Sequence, residues 1–255
     1  MRTIDLNCDL GESFGAHRIG MDQEIMPYIT SANIACGFHA GDPGVMRGAV
    51  RLALAHGVAI GAHPGLPDLQ GFGRRAMQIS PQEAYEMTVF QIGSIWAMTK
   101  AEGGRLEHVK PHGALYNMAA VHADLAEAIA EAVYRVEPEL RLFGLAGGEL
   151  IRAGERMGLR VVQEVFADRR YEEDGTLTPR SQPGAIIESV EEACIQAVRM
   201  AQAGVVRSRQ GSEVRVQADT ICLHGDTPGA LDYALQLRRA LEAVGIRVAK
   251  AGDAG

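Results

Sequence analysis

Aromatic residues are scarce, at 5% of 255 positions. Recognition that stacks bases or sugars on aromatic platforms is therefore not expected to dominate. Positive charge is in deficit, with 25 Lys and Arg against 32 Asp and Glu and a formal net charge of −7. That balance disfavours nucleic-acid binding by phosphate neutralisation. Long hydrophobic runs are missing: the longest stretch without an acid, Lys or Arg runs from Ile25 to Gly41, and Pro27, Asn33, Gly37 and His39 interrupt it. A membrane-spanning helix needs roughly 20 mostly apolar residues, so no membrane association is expected. Met1 to Asp9 hold no apolar core of a signal peptide. Cysteine is sparse, with Cys8, Cys36, Cys194 and Cys222 and no C-x-x-C pair, which suits a reducing cytoplasm. His-Glu-x-x-His and any Gly-Lys pair are absent, so neither a metal nor ATP can be assigned from a local motif.

Apolar residues reach 47% and charged residues 22%, the composition of a folded globular chain. Short β-like runs alternate with helical patterns. Strands are expected at Thr3–Asp9, Thr30–Cys36, Val58–Ala62, Leu106–Lys110, Leu140–Leu145, Arg160–Phe166 and Thr220–Leu223, with a short last run at Ile246–Ala249. Helix starts are signalled at Asp42-Pro43, at Ser80-Pro-Gln-Glu83, at Ser189-Val-Glu-Glu192 and at Thr227-Pro228. This rhythm predicts one α/β domain over residues 1–255, with parallel strands closed as a (β/α) barrel; an open doubly wound sheet is the alternative. The long segment from Ala167 to Glu188 is expected to be a lid over the site or a docking loop.

Polar residues concentrate where strands end. Asn7, Asp9 and Glu12 follow the first run, His39 and Asp42 the second, His63 the third, Lys110 and His112 the fourth, Asp168 and Arg169 the sixth, His224 and Asp226 the seventh. In a parallel barrel these ends share one rim, where active sites sit. Asp42 and Asp226 precede helix starts and serve equally as N-caps. His17, His56, His108 and His122 are expected to be structural or solvated, and Cys8, Cys36 and Cys222 to be packing residues. Gly71-Phe-Gly-Arg-Arg75 offers free backbone N–H groups and two guanidinium forks to an anion.

The segments Asp5-Leu-Asn-Cys-Asp-Leu-Gly-Glu12, Ala32-Asn-Ile-Ala-Cys-Gly-Phe-His-Ala-Gly-Asp42, Gly61-Ala-His-Pro-Gly65, Gly71-Phe-Gly-Arg-Arg75, Val109-Lys-Pro-His-Gly-Ala-Leu-Tyr-Asn117, Glu164-Val-Phe-Ala-Asp-Arg169 and Cys222-Leu-His-Gly-Asp226 together resemble the LamB/YcsF family across nearly the whole chain. The resemblance implies a seven-stranded, distorted barrel of the polysaccharide-deacetylase type. It implies ATP-dependent opening of 5-oxoproline to L-glutamate, with ATP as co-substrate and PxpB and PxpC as companion subunits. On that reading Asp9 with His39 or His63 activates water. Lys110 and His112 stabilise the phosphorylated oxygen or its leaving phosphate, and His224 acts as acid toward the ring nitrogen. Arg74 or Arg169 grips the carboxylate, with Asn7 and Asp168 completing the substrate set. No resident metal is expected; the alternative is a facial site of Asp9, His39 and His63. The competing functions are a stand-alone metal-dependent deacetylase or amidohydrolase, and a non-catalytic subunit.

Overall fold

The computed structural model describes residues 2–224 and 229–253. The chain runs β1 (Thr3–Leu10), α1 (Asp22–Ile25), β2 (Ser31–Ala35), α2 (Pro43–His56), β3 (Ala59–His63), α3 (Pro81–Ala101), β4 (Leu106–Val109), α4 (Gly113–Val121), α5 (Ala123–Val136), β5 (Arg141–Leu145), α6 (Glu149–Met157), β6 (Arg160–Phe166), α7 (Val190–Ala203), the hairpin β7 (Val205–Arg207) and β8 (Glu213–Arg215), β9 (Thr220–His224), α8 (Ala230–Ala243) and β10 (Arg247–Val248). Strands β1 to β6 pair in sequence order, β6 pairs with β9, and β9 returns to β1, so seven parallel strands close a barrel. β10 stays outside the ring. It pairs with Thr3 and Ile4 at the start of β1, while β9 takes Asp5 to Asp9 of the same edge. One strand edge thus serves two partners in succession, which resolves the count at seven.

Helix boundaries follow their caps. Asp42 accepts from the backbone N–H of Gly44 and Val45, with Pro43 in the first turn of α2. Ser80 and Glu83 form a reciprocal capping box at α3, and Ser189 caps α7 through Glu192. Thr227-Pro228 lies outside the described residues; α8 itself begins at Ala230. No helix among the described residues is long and apolar enough to cross a membrane. The segment from Ala167 to Glu188 is less irregular than its Gly and Pro content suggests. Bridges link Arg169 to Ile186 and Tyr171 to Leu177, and Tyr171 also reaches Ser208 beside the hairpin. Gln196 of α7 holds its base through the carbonyls of Phe166, Ala167 and Arg169, at 2.9–3.1 Å.

The interior of the barrel is polar. Along β1 the period of two sends Ile4, Leu6, Cys8 and Leu10 into the apolar core. Asp5, Asn7 and Asp9 bond instead across the barrel axis. Asp5 accepts from Thr30 and Ser31, each at 2.7 Å, and from Thr220. Asn7 donates to Glu164 and Thr220 at 2.8 Å. Asn33 donates to Asn7 at 2.7 Å and to Asp9 at 2.9 Å, while His108 bonds its carbonyl oxygen at 2.8 Å. His108, expected in a structural or solvated setting, is a buried strand residue stacked on Phe143. Its ring occupies the space a side chain at residue 61 would need: a Cβ on Gly61 would lie 2.0 Å from its Nε2. Burial, then Lys110 and Arg141, push the His108 imidazole down to about 3.

Two outcomes follow. Gly61→Ala must expel the His108 ring and should cost at least ~3 kcal/mol in urea unfolding, beyond ordinary overpacking. His108 is neutral when folded and titrates near 6.5 when unfolded. The unfolded chain therefore binds the extra proton, and stability is full above that pH. It should fall by ~1.4 kcal/mol per pH unit on acidification toward about 3. Urea midpoints between pH 7 and 5 should show this slope, shallower in His108→Gln.

Candidate active site

At the C-terminal end of the barrel the polar interior ends in one buried cation. Lys110 follows β4, and its Nζ lies 2.8 Å from Glu164 Oε1 and 3.0 Å from each of Asp9 Oδ1, Asn7 Oδ1 and Cys222 Sγ. Burial opposes its charge, but Asp9, Cys222 and Glu164 outweigh that penalty and hold its pKa well above the ordinary lysine value. Lys110 is thus a fixed positive charge rather than a base. Burial pushes the Cys222 thiol up, in keeping with a packing role.

Beside it stands a cluster of imidazoles. Glu12, His39, His63 and His112 are all buried, and one donor atom from each lies within 4.8 Å of the others. His39 and His112 stack with ring centroids 3.7 Å apart, and His63 stands edge-on to both. Hydrogen bonding decides the tautomers. His63 Nδ1 faces the Lys110 carbonyl at 2.6 Å, and His112 Nε2 faces the Phe72 carbonyl at 2.8 Å. A carbonyl only accepts, so each of these nitrogens carries the ring proton. The opposite nitrogens, His63 Nε2 and His112 Nδ1, then turn lone pairs toward each other at 3.0 Å. Asp9 Oδ2 lies 3.3 Å from the first, Glu12 Oε1 3.5 Å from the second and 3.3 Å from His39 Nε2. Burial, then His63, push His112 down, and burial, then His112 and His63, do the same to His39. Imidazoles oriented by backbone carbonyls and aimed, with a carboxylate, at one point are a donor set that could hold a metal ion.

A cavity of about 600 Å³ opens beside these groups. Asp9, His63, Lys110 and His112 form its reactive wall, Arg74, Arg169 and Arg180 add positive charge, and Tyr116 and Phe166 supply ring surface. Leu177, Pro179 and Arg180 come from the long segment after β6, so that segment forms a wall of the site, tied back by its bridges. Arg169 is 4% exposed; its Nη2 donates to the Thr178 carbonyl at 2.7 Å, while its Nε has no partner among the described residues. Burial, then the neighbouring Arg180, push this guanidinium down to about 10.

The structure therefore brings Asp9, His63, Lys110, His112, Arg74 and Arg169 to one cavity. His39 is fully buried behind that wall, against Glu12. Asn7, expected to touch substrate, is 0% exposed and uses both ends of its amide on Glu164, Thr220, Asn33 and Lys110. Asp168 is not among the cavity-lining residues. His224 ends β9, its backbone paired with Asp9; its side chain lies outside the described residues, as does Asp226. The expected facial set of Asp9, His39 and His63 becomes Glu12, His39, His63 and His112, with Asp9 alongside. The segment after Gly71 is a packing device more than an anion loop. Arg75 is tied to Asp68, and Phe72 packs edge-on to His39 and His112. A Cβ on Gly73 would lie 2.7 Å from His39 Cβ.

Glu12, which follows the first run, and Glu164 receive no site role from the sequence alone. Gly11, at φ +68°, turns the chain so that Glu12 reaches His39. Glu164 sits within β6 rather than after it, and only its inward register shows its partner.

Comparison with known proteins agrees with this architecture. The LamB/YcsF family profile matches residues 4–254. A Bacillus subtilis protein, named as a subunit of 5-oxoprolinase, is 62% identical over 248 residues, covering 97% of this chain and 96% of that protein. A Bordetella pertussis protein of the same name is 58% identical over 245 residues, covering 96% and 97%. The crystal structure of a lactam utilization protein from Thermus thermophilus superposes with a TM-score of 0.91 at 51% identity, covering 97% of this chain and 99% of that one. With the family profile matched over residues 4–254 and a relative 62% identical over 248 residues, the chain belongs to the LamB/YcsF family.

Proposed function

We propose that this chain is the subunit of a multi-subunit 5-oxoprolinase that binds 5-oxoproline and carries the groups that open its ring to L-glutamate, in a reaction driven by ATP. The observation that carries this reading is the convergence of His63 Nε2, His112 Nδ1, Asp9 and the Lys110 ammonium on one cavity wall that also holds three arginines. The names of the relatives support the substrate and the multi-subunit setting. PxpB and PxpC are the companion subunits in this reading, and the sparse cysteines fit a cytoplasmic complex.

A lactam is a poor electrophile with a poor leaving group. Phosphorylation of its carbonyl oxygen at the expense of ATP activates the carbon, and water then attacks it; the C–N bond breaks as a proton passes to the ring nitrogen, and a second water hydrolyses the resulting acyl phosphate to glutamate and phosphate. Asp9 Oδ2, beside His63 Nε2, is placed to take the proton of the first water. The fixed charge of Lys110 faces the developing negative charge. Arg169 offers its Nε–H to the substrate carboxylate, with Arg74 as the second fork. Glu12, His39, His63 and His112 are the residues that would hold a divalent ion, because three imidazoles and a carboxylate bring one donor atom each to within 4.8 Å of the others. Bound there, such an ion supplies an acidified water and a Lewis acid. A stand-alone metal-dependent amidohydrolase shares these residues and differs in needing neither ATP nor partners.

Glutamate release from 5-oxoproline should require the assembled complex and ATP; full turnover by the purified chain alone, without ATP, would establish the stand-alone reading instead. His112→Ala should lower kcat of the complex by about 10³-fold or more with the fold intact by circular dichroism, whereas exposed His122→Ala should stay near wild type. Elemental analysis of chain purified without chelators should find one divalent ion per chain. His63→Ala should lose it, and chelation should lower the melting temperature of the wild type. A metal-free chain that remains fully active in the complex would remove the ion from the proposal.

A further inference from the structure

The group that orients the Asp9 carboxylate is itself held by a residue outside the cavity. Asn33, 0% exposed on β2, donates both protons of its side-chain amide, to Asp9 Oδ1 at 2.9 Å and to Asn7 Oδ1 at 2.7 Å. An ionised carboxylate only accepts, so the amide nitrogen must face Asp9 and the amide oxygen must face the other way. That oxygen meets His108 Nε2 at 2.8 Å, which forces the His108 tautomer with hydrogen on Nε2. A neutral imidazole donor is what the environment of His108 maintains. The ring is also clamped: it stacks on Phe143 with centroids 4.4 Å apart, and Gly61 leaves open the space that its edge fills. His108 does not line the cavity.

We propose that His108 is a positioning residue for the reaction: its Nε2–H fixes the Asn33 amide, and Asn33 fixes the plane of the Asp9 carboxylate so that Oδ2 faces His63. The assignment of a chemical step to Asp9 rests on the proposed function; the chain of orientation from His108 to Asp9 does not. With Asn33 and Lys110 both on Oδ1, the carboxylate has one reactive oxygen rather than two interchangeable ones. Without the His108 donor, the Asn33 oxygen is buried with no partner, and the amide keeps only the two bonds on its nitrogen side. Its plane is then less tightly fixed, and with it the bond that orients Asp9 Oδ1.

The test uses His108→Phe, which keeps a stacking ring and removes the donor, and His108→Gln, which keeps a donor of similar reach. In the assembled complex His108→Phe should lower kcat for 5-oxoproline by about tenfold or more, a barrier change of ~1.4 kcal/mol per factor of ten. KM should change by less than about threefold, and His108→Gln should recover most of the loss. Asn33→Leu should match His108→Phe, and the double variant should be no worse than Asn33→Leu alone, because one residue acts through the other. Effects that multiply in the double variant, or a fully active His108→Phe, would overturn the proposal. Hydrogen exchange of the Asn33 side-chain amide, read by NMR on the full chain, should be slow in wild type and His108→Gln and faster in His108→Phe; equal protection in all three would overturn it as well. If the wild-type complex does not turn over 5-oxoproline, the functional reading fails by itself, and the amide exchange still decides the positioning.

Discussion

The Lys110 ammonium between Asp9 and Glu164 is the interaction on which the rest of the barrel depends. Removing three ions from water costs several kcal/mol each, and the cost is recovered only where geometry is good and remaining donors and acceptors are matched. Asn7, Asn33, Thr220 and His108 supply that matching, each in an orientation dictated by its neighbour. A barrel interior packed with Val, Ile and Leu would be simpler to stabilise. This one holds a charged, hydrogen-bonded column that leads to the reactive rim, so its stability and its chemistry draw on the same side chains.

The rim converts that rigidity into function. Backbone carbonyls of Lys110 and Phe72 take the outer protons of His63 and His112 and leave the inner nitrogens as lone pairs. Asp9 belongs to both systems: Oδ1 is bound to Lys110 and Asn33, and Oδ2 faces His63. A disturbance low in the barrel therefore reaches the cavity through hydrogen bonds of fixed polarity. The wall opposite comes from the bridged segment after β6, which brings Arg169 and Arg180 over the same space.

Much of this was legible in the order of residues. Alternation of short β-like runs with capped helices indicates a closed parallel barrel, and polar residues after each run indicate one rim. Asp9, His63, Lys110 and His112 emerge from that reading because the ends of parallel strands share a side. The hairpin of β7 and β8 did not emerge, since its strands are three residues each and carry no periodic pattern of their own. Asn7 was misplaced because its strand position points it inward, below the rim, where the barrel closes around it.

By itself the sequence determined the barrel class, the family and the set of polar groups that the strand ends carry, because these follow from periodicity, caps and the identity of contiguous motifs. Only the tertiary structure decided which of those groups meet. Glu12 and Glu164 took their places through a glycine turn and through strand register, and His108 changed from a bystander to a partner of Asn33 because Gly61, its register partner on the neighbouring strand, left room for its ring. Distances between residues far apart in sequence arise from closure of the ring, and a one-residue change in register would turn every inward side chain outward.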